Sequence, residues 1–464
     1  MVYSYQQARE YLETFITNTL YQKITVESAT YHPLARMRCL LRMLGNPHDK
    51  FPSIVVSGTS GKGSTTYLIA KMLTDAGYKT GFATSPHLQK LTERMQVNMQ
   101  EIPEKDFIDL INEIMPIIAS METTPFGSPS YYEILLSLTL VYFAKQQVDV
   151  AIVEVGLEGK YDGTNLLSPV AFILTNISLD HTAVLGNTVE EIGDEASWRI
   201  KDLTIDNSDQ IPVVITGVTQ PVILQMVKER SAESGVSFIH LSTDFSVKRI
   251  SESEKGSVFT FANREIRIEN ITLSLIGEYQ VENAGLAIET VLSLQNFGVK
   301  IKEETIRYAL SHSFFSGRFE QIVRDNVEIV LDGAHNVAKM QAFLLSLEKI
   351  YKKKKKIFLV GFKKDKDIKN LLSFITPLAH SIVITQFKTA VDLGKNLAME
   401  SQEVALHIAD KKNVYVESNT KNALMKAIEL AKKEGAIIVT TGSLYLVGEI
   451  REYLIPQISS KQKD

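Results

Sequence analysis

Residues 55–65 read Val-Val-Ser-Gly-Thr-Ser-Gly-Lys-Gly-Ser-Thr, a β-branched run followed by a loop rich in glycine and hydroxyl side chains. The β-branched residues at the start of this stretch predict a strand, and the apolar positions between Leu68 and Leu73 predict a helix after the loop. In such a layout, backbone N–H groups and the positive end of the helix bind phosphate oxygens. The spacing predicts that Lys62 contacts the outer phosphates and that a hydroxyl of Ser64 or Thr65 faces Mg²⁺.

The loop departs from the common phosphate-loop spacing, Gly-x-x-x-x-Gly-Lys-Ser/Thr. Gly58 lies three residues before Gly61, and Gly63 separates Lys62 from Ser64. A glycine turn that binds nothing is the plainer alternative, but the strand and helix on either side favour a phosphate loop over residues 58–65. The predicted ATP contacts in the loop are Gly58, Thr59, Ser60, Gly61, Lys62, Gly63 and Ser64.

Length and composition narrow the class of protein. A chain of 464 residues is too long for one ordinary core, so two or three domains are expected. The net charge of -4 gives no bulk basicity, so we expect no nucleic-acid partner. The single cysteine, Cys39, excludes an internal disulfide. The longest apolar stretch, 134–144, is too short for a membrane span and the N-terminus is unlike a secretory signal, so we expect a cytoplasmic location without membrane contact.

Strand and helix patterns alternate along most of the chain. Apolar runs such as 148–155 and 169–177 predict strands between helices, which favours an α/β fold with a mostly parallel sheet flanked by helices. Short alternating strands between 246 and 275 predict a small antiparallel appendage. Alternation of strand and helix restarts after a break at 311–317, so we predict a first domain at 1–312 and a second, smaller α/β domain at 313–464.

Polar side chains follow several of the predicted parallel strands, whose carboxyl ends should meet at one edge of the sheet. Glu154 ends an apolar strand, where a carboxylate is costly unless it meets a cation. Ser85 and His181 follow two other strands. A hydrogen-bonded structural role is the plainer interpretation of each residue alone. Together they predict a Mg²⁺ site of Ser64, Ser85, Glu154 and His181, with histidine an unusual ligand.

The second domain carries its own candidates. Arg318 and Asp332 are a cation and a carboxylate that could clamp a nucleotide across a cleft, and His335 stands before the next predicted helix. The best interpretation of Asp367 is a helix N-cap. The run of lysines at 352–356 is best explained as a solvated turn, with an anion-binding patch as the alternative.

Seven motifs in this order resemble those of the folylpolyglutamate synthase/dihydrofolate synthase family, a branch of the Mur ligases. They are Gly58-Thr59-Ser60-Gly61-Lys62-Gly63-Ser64, Thr84-Ser85-Pro86-His87-Leu88, Glu154-Val155-Gly156-Leu157, Leu179-Asp180-His181, Gly317-Arg318-Phe319-Glu320, Asp332-Gly333-Ala334-His335-Asn336 and Gly442-Ser443-Leu444-Tyr445. The resemblance runs from about Leu34 to Glu449, and it implies an ATP-binding N-terminal domain and a smaller Rossmann-like C-terminal domain.

The resemblance also implies a reaction. ATP phosphorylates a carboxylate of a folate or pteroate substrate, and the amine of L-glutamate attacks the acyl phosphate to form an amide. The implied cofactors are ATP and Mg²⁺, and the implied assembly is a monomer. Catalysis would fall to Lys62, Glu154 and His181.

Carried over by position, the resemblance extends the candidate site beyond the loop. The further nucleotide contacts would be Asn283, Arg318, Asp332 and His335. The implied pteroate contacts are Ser130, Tyr131, Tyr132, Glu133, Tyr161, Asp162 and Gly163. A tyrosine beside a flat pterin ring is physically sensible, since aromatic rings stack.

The chain departs from the family pattern at several of these motifs. Ser60 stands where the family usually has asparagine, Glu158 replaces a glycine, Lys160 replaces an arginine, and Val337 replaces a proline. The largest departure is Ala196, which aligns with a lysine that is carbamylated in the family and helps to hold a second Mg²⁺. Alanine cannot be carbamylated, so a second metal must be held otherwise or be absent. Glu158 and Glu195 are the candidates for the missing negative charge.

Two alternatives to a folate ligase stay open at this point. The chain could be a Mur-type ligase with another carboxylate acceptor, because fold and ATP site do not fix the substrate. It could also be a nucleotide-binding protein that has lost ligase activity, for which Ala196 is the main support. Within the folate interpretation, the residues are compatible with polyglutamylation, with addition of the first glutamate, or with both.

Overall fold

The computed structural model describes residues 1–16, 33–203, 211–388, 398–410 and 412–455. By its internal contacts the chain divides into two compact units. The first comprises Met1–Ser251, Ser257–Ser274 and Tyr279–Ser313, and the second comprises Glu252–Gly256, Leu275–Glu278 and Phe314–Asp464. The boundary that the sequence predicts between residues 312 and 313 is not tested by this division into units and stays a proposal. No helix in the described part of the chain is long and apolar enough to cross a membrane.

The described residues of the first unit contain an eight-stranded sheet. Its strands are β1 (Ser53–Ser57), β2 (Thr80–Ala83), β3 (Met95–Val97), β4 (Gln100–Glu101), β5 (Val150–Glu154), β6 (Pro169–Leu174), β7 (Val213–Thr216) and β8 (Ser237–His240). The order is β4-β3-β2-β5-β1-β6-β7-β8, and the pairs are parallel except those that β3 makes. Val56 of β1 pairs with Glu154 of β5 and with Ile173 of β6. The loops that follow β5, β1 and β6 therefore emerge side by side.

Helices cover this sheet and complete its core. Up to residue 313 they are α1 (Tyr5–Glu13), α2 (Pro33–Met43), α3 (Lys62–Asp75), α4 (Glu104–Met121), α5 (Tyr131–Gln146), α6 (Thr182–Leu185), α7 (Val189–Ala196), α8 (Pro221–Glu233), α9 (Glu278–Ser293) and α10 (Glu303–Ser311). Helix α5 is apolar on all sides and nearly all of its residues are buried, as is typical of a helix inside a large core. Its start is fixed by a capping box between Ser130 and Glu133.

A separate antiparallel sheet confirms the predicted appendage. It consists of β9 (Phe245–Ser253), β10 (Gly256–Asn263) and β11 (Arg267–Leu273), in the order β11-β10-β9. Helix α9 packs closely on β9, because a Cβ atom on Gly285 would lie 2.4 Å from Cγ1 of Val247. This contact explains a glycine in the middle of a helix, where it otherwise costs stability.

The second unit is a smaller α/β unit with a mixed sheet. Its strands are β12 (Glu320–Arg324), β13 (Val327–Leu331), β14 (Lys356–Val360), β15 (Ser381–Ile384), β16 (Val414–Val416) and β17 (Ile437–Thr441), and its helices are α11 (Val337–Ile350), α12 (Ile368–Ile375), α13 (Ser401–Leu406), α14 (Thr420–Glu434) and α15 (Leu444–Leu454). The strand order is β12-β13-β17-β14-β15-β16, with only β12 antiparallel among the described strands. The sequence did not predict β12, because this edge strand is largely exposed and carries no alternating apolar pattern.

The α/β fold class predicted from the sequence is confirmed, with its mostly parallel sheet, small antiparallel sheet and second α/β unit. Two smaller predictions can also be judged. Asp367 caps α12 by accepting a hydrogen bond from the Asn370 N–H. The run at 352–356 is only partly solvated, since Lys356 is buried and its ammonium donates to the Tyr351 carbonyl.

Candidate functional site

The loop between β1 and α3 requires glycine at two positions. Gly58 has φ +122°, and a Cβ atom there would lie 2.2 Å from Oγ1 of Thr175. Gly61 precedes α3 with φ +84°, and a Cβ atom there would lie 2.3 Å from Oδ1 of Asn283. Both positions combine a left-handed backbone with a close neighbour, so any side chain would distort the loop. The same contact places Asn283, a predicted nucleotide contact, beside the loop.

Residues that follow β6 hold the first half of the loop. The N–H groups of Thr59 and Ser60 donate to the backbone oxygen and the side-chain oxygen of Asn176, at 2.8 and 3.0 Å. The Thr175 hydroxyl donates to the Ser60 carbonyl at 2.7 Å. These two N–H groups are therefore used within the protein. The donors suited to phosphate are the N–H groups in the first turn of α3, which begins at Lys62.

Lys62 forms a buried ion pair with Glu158. Its ammonium lies 2.8 Å from Oε1 of Glu158 and also donates to the Gly58 carbonyl. Burial alone lowers the pKa of the Lys62 amine, but the carboxylates of Glu158, Glu154 and Asp180 outweigh this and raise the pKa above its ordinary value. Lys62 is thus a permanent cation at neutral pH, held where the loop passes into α3.

Glu154, the last residue of β5, contacts the loop that follows β2. Its Oε2 accepts hydrogen bonds from the Thr84 hydroxyl and from the Ser85 N–H, the latter at 2.9 Å. The structure thereby brings together two of the predicted metal ligands, Ser85 and Glu154. A small cavity adjoins them, lined by Ala83, Thr84, Ser85, Arg94, Tyr132, Leu135, Leu136, Thr139, Val153 and Glu154.

The other predicted metal ligands are less closely tied to this pair. His181 precedes the short helix α6 in a left-handed conformation, φ +49°, and its N–H donates to the Asp180 carboxylate. Ser64 is buried in the first turn of α3. Within the described ranges, no three His, Cys, Asp or Glu side chains form a group that could hold a metal ion. The grouping of His181 and Ser64 with Ser85 and Glu154 stays a prediction.

The segment predicted to contact pteroate divides into structural and cavity-facing residues. Glu133 caps α5 and also accepts a hydrogen bond from Arg36 Nε at 2.8 Å, while Tyr131 belongs to the core. Tyr132 lines the cavity, and its hydroxyl donates to Asp162 at 3.2 Å. Burial, with the Asp162 carboxylate adding to it, raises the pKa of Tyr132 well above its usual value, so the phenol stays neutral.

The residues after β5 fit tightly around Tyr132. A Cβ atom on Gly156 would lie 2.5 Å from Cζ of Tyr132, and one on Gly163 would lie 2.9 Å from Cδ2 of Leu136. Asp162 also accepts from the Leu157 N–H at 3.1 Å. Sequence reasoning missed Arg94, a buried arginine that lines the same cavity and donates to His87 Nδ1 at 2.9 Å. It also missed Asn176, although a polar residue just after an apolar strand was a usable signal.

Comparison with known proteins identifies the family. A family model described as the Mur ligase middle domain matches residues 56–291, and one described as the dihydrofolate synthetase C-terminal domain matches residues 316–453. The dihydrofolate synthase/folylpolyglutamate synthase of Bacillus subtilis is 32% identical over 91% of this chain and 94% of its own. The folylpolyglutamate synthase of Lacticaseibacillus casei is 30% identical over 90% of this chain and 94% of its own.

A solved structure agrees. The Mycobacterium tuberculosis folylpolyglutamate synthase complexed with ADP superposes with a TM-score of 0.85 and 26% identity, covering 97% of this chain and 98% of that one. The chain belongs to the folylpolyglutamate synthase/dihydrofolate synthase family. It is an ATP-dependent ligase of the Mur ligase type, as the resemblance of its motifs implied.

Residues 194–201, where the resemblance of the motifs implies a lysine at position 196, make other contacts. Ala196 is buried, and its carbonyl accepts a hydrogen bond from the Ser57 hydroxyl at 3.2 Å. Glu195 accepts from the Lys160 N–H at 3.0 Å. The ammonium groups of Lys160 and Lys201 lie 5.6 and 4.4 Å from the centre of the Trp198 ring. Lys201 thus contacts an aromatic ring, and Glu158 pairs with Lys62. That Glu158 or Glu195 supplies the charge for a second metal stays a prediction.

In the second unit, the family motifs form a compact local cluster. Asp332 accepts hydrogen bonds from the N–H groups of Phe319 and Ala334, at 2.9 and 2.8 Å. Burial raises the pKa of Asp332 to about 6, with the Arg318 guanidinium and these hydrogen bonds opposing the rise. His335 Nδ1 lies 2.7 Å from the Gly333 carbonyl. Their predicted contacts with nucleotide stay a prediction.

Proposed function

We propose that this ligase joins L-glutamate to a folate-type or pteroate-type carboxylate, with ATP consumed through an acyl phosphate. The observation that carries the proposal is the phosphate loop with its buried Lys62 cation, beside a cavity lined by Glu154 and Tyr132. A cation and helix N–H groups can stabilise charge on a transferring phosphoryl group. The names of the relatives supply the substrate class: B. subtilis has a dihydrofolate synthase/folylpolyglutamate synthase and L. casei a folylpolyglutamate synthase.

We propose that nucleotide binds at the loop, and the M. tuberculosis relative is itself complexed with ADP. The proposed contacts in the first unit are Gly58, Thr59, Ser60, Gly61, Lys62, Gly63, Ser64 and Asn283. Buried hydroxyls of Ser60 and Thr65, and the side-chain N–H₂ of Gln280, have no hydrogen-bond partner among the described residues. Such groups suit a polar ligand. Arg318, Asp332 and His335 are the proposed nucleotide contacts in the second unit.

Mg²⁺ fits the oxygen donors present at the loop. We propose Ser64, Ser85 and Glu154 as its ligands, with His181 as a fourth. Hydroxyl and carboxylate oxygens are the groups that Mg²⁺ prefers, and nucleotide phosphates usually complete its coordination. When bound, the ion would neutralise charge on the phosphates. The protein's own part is to place Lys62 and the α3 N-terminus against them.

The acceptor would lie against Tyr132 and Asp162, with Ser130, Tyr131, Glu133, Tyr161 and Gly163 as the other proposed contacts. Of these, Tyr132 lines the cavity, and a neutral phenol can stack on a flat ring. Tyr131 and Glu133 would act indirectly, because the first packs in the core and the second caps α5.

The test is ADP release measured side by side with dihydropteroate and with tetrahydrofolate, each with and without L-glutamate. We expect release that requires both acceptor and glutamate. Activity with tetrahydrofolate alone assigns polyglutamylation, activity with dihydropteroate alone assigns the first addition, and activity with both assigns a bifunctional ligase. ADP release that neither acceptor stimulates would remove the substrate assignment.

A different carboxylate acceptor is the second candidate. This second candidate is favoured by Ala196, Trp198 and Lys160, because these residues depart from the pattern that the resemblance implies and lie near the proposed acceptor contacts. A thermal-shift screen of carboxylate ligands in the presence of ADP would distinguish the two. We further propose a cytoplasmic monomer that binds no nucleic acid, in keeping with the net charge of -4.

A further inference from the structure

Lys62 is already neutralised by a carboxylate at the place where it should meet phosphate. The side chain of Glu158 is 3% exposed and that of Lys62 is 16% exposed, so solvent screens the pair weakly. The two residues are 96 positions apart in sequence and meet because β5 and β1 are neighbours in the sheet. Removing either partner would leave a buried charge without compensation.

Glu158 adopts a backbone conformation that is unfavourable for it. Its φ is +73°, in the left-handed region, and Gly159 follows with φ +91°. A side chain in this region costs about 1–2 kcal/mol, whereas glycine adopts it freely. The turn alone would therefore favour glycine at position 158. The ion pair with Lys62 is the contact that offsets the cost of a glutamate there.

The surroundings of Lys62 are more negative than one ion pair requires. Besides Glu158, the carboxylates of Glu154 and Asp180 act on the same ammonium. Nucleotide phosphates would bring further negative charge to a place where three carboxylates already act on one ammonium. If a phosphate oxygen replaces Glu158 as the partner of the Lys62 ammonium, the Glu158 carboxylate stays buried beside the added negative charge of the phosphate. This arrangement is costly in free energy unless a cation binds as well.

We propose that Glu158 is a positioning residue for Lys62: it holds the ammonium in the nucleotide-free ligase and yields it to phosphate when nucleotide binds. This exchange makes nucleotide binding depend strongly on Mg²⁺, because the released carboxylate must be neutralised. The coupling is electrostatic and does not require Glu158 to coordinate the ion. The inference rests on the proposed function insofar as that function places nucleotide at this loop.

The test measures ADP affinity of the full chain by calorimetry, once in excess EDTA and once with saturating Mg²⁺. We expect the wild-type chain to bind ADP about tenfold or more tightly with Mg²⁺, within the usual range of coupling between two ligands. Glu158→Gln keeps the size of the side chain and removes its charge. It should bind metal-free ADP about tenfold more tightly than wild type, which shrinks the Mg²⁺ dependence.

Two variants separate charge from structure. Glu158→Asp retains the carboxylate and should retain most of the Mg²⁺ dependence. Glu229→Gln removes an exposed carboxylate of α8 that is bonded to Gln225. Its ADP affinity should equal that of wild type under both conditions. A residue with only a structural role would lower the melting temperature on substitution without changing the Mg²⁺ dependence.

Two results would overturn the proposal. One is a Glu158→Gln variant whose metal-free ADP affinity is unchanged or weaker. The other needs no variant: a wild-type chain that binds ADP equally well with and without Mg²⁺. Failure of the proposed function looks different, because the chain would then bind ADP under neither condition. ADP binding with an intact Mg²⁺ dependence in Glu158→Gln would remove this inference and leave the proposed function in place.

Discussion

The proposed phosphate loop at 58–65 and the segment from Glu154 to Gly163 lie at the same edge of one sheet, but different forces shape them. The loop follows mainly from local geometry, with left-handed glycines between a strand and a helix, and Thr175 and Asn176 hold it by hydrogen bonds. The 154–163 segment is defined by side chains that reach distant partners, such as Glu158 to Lys62 and Asp162 to Tyr132. The structure of the loop can be predicted from neighbouring residues, whereas the structure of the 154–163 segment depends on the completed fold. Substitutions can separate the two.

Lys62→Ala has the largest expected effect, because Lys62 belongs to both regions. Loss of the cation should lower ADP release by about 10²–10³-fold, as for other groups that stabilise charge in a transition state. It also leaves Glu158 buried without a partner, which should cost about 3–5 kcal/mol of unfolding free energy. Turnover assays and thermal unfolding measure the two effects.

The double variant Lys62→Met with Glu158→Gln is the matched control for that prediction. It removes both charges at once, so stability should return towards wild type while turnover stays low. If Lys62→Ala alone unfolds at the wild-type temperature, the buried ion pair does not form in solution.

The difference between the two regions also explains which features of the site could be predicted from the sequence. Strand, glycines and helix around Lys62 follow a local pattern, so the loop and its flanking elements were predictable from neighbouring residues. The Glu154–Ser85 pair followed from one rule about the carboxyl ends of parallel strands. The pairing of Glu158 with Lys62 did not follow, because no local pattern specifies which of several carboxylates a buried lysine will meet. The exposed edge strand β12 was missed for lack of an apolar pattern.

Ala196→Lys tests whether residues 194–201 have room for the lysine that the resemblance of the motifs implies at this position. Ala196 is 4% exposed and belongs to the main apolar cluster, so a lysine should cost about 2–4 kcal/mol by burying an ammonium without a partner. Thermal unfolding and ADP release check this. Ala232→Lys, on the exposed side of α8, is the control and should be near neutral. A variant that folds as well as wild type and gains activity would show that the segment retains a lysine site.

Gly61→Ala tests the loop without changing a residue of the 154–163 segment. Gly61 has φ +84° and its new Cβ would lie 2.3 Å from Asn283 Oδ1, so the amide must shift and ADP affinity should fall about tenfold, or 1.4 kcal/mol. Gly77→Ala is matched in backbone strain, with φ +94°, but nothing lies within 4 Å of its Cβ. Gly77→Ala should lose a similar stability and keep its ADP affinity. Equal losses of affinity in both variants would mean that strain, and not the contact with Asn283, sets the loop.

Lys201→Met has the smallest expected effect and probes the weakest contacts of residues 194–201. The Lys201 ammonium lies 4.4 Å from the centre of the Trp198 ring, and a cation–π contact at an exposed site is worth about 0.5–1 kcal/mol. Trp198 is the single tryptophan of the chain, so its fluorescence reports the change directly. Lys228→Met, at an exposed position of α8, should leave the emission unchanged. If the Trp198 emission changes and stability falls slightly, several weak contacts hold residues 194–201. If the emission does not change, Lys160 is the cation that orders the Trp198 ring.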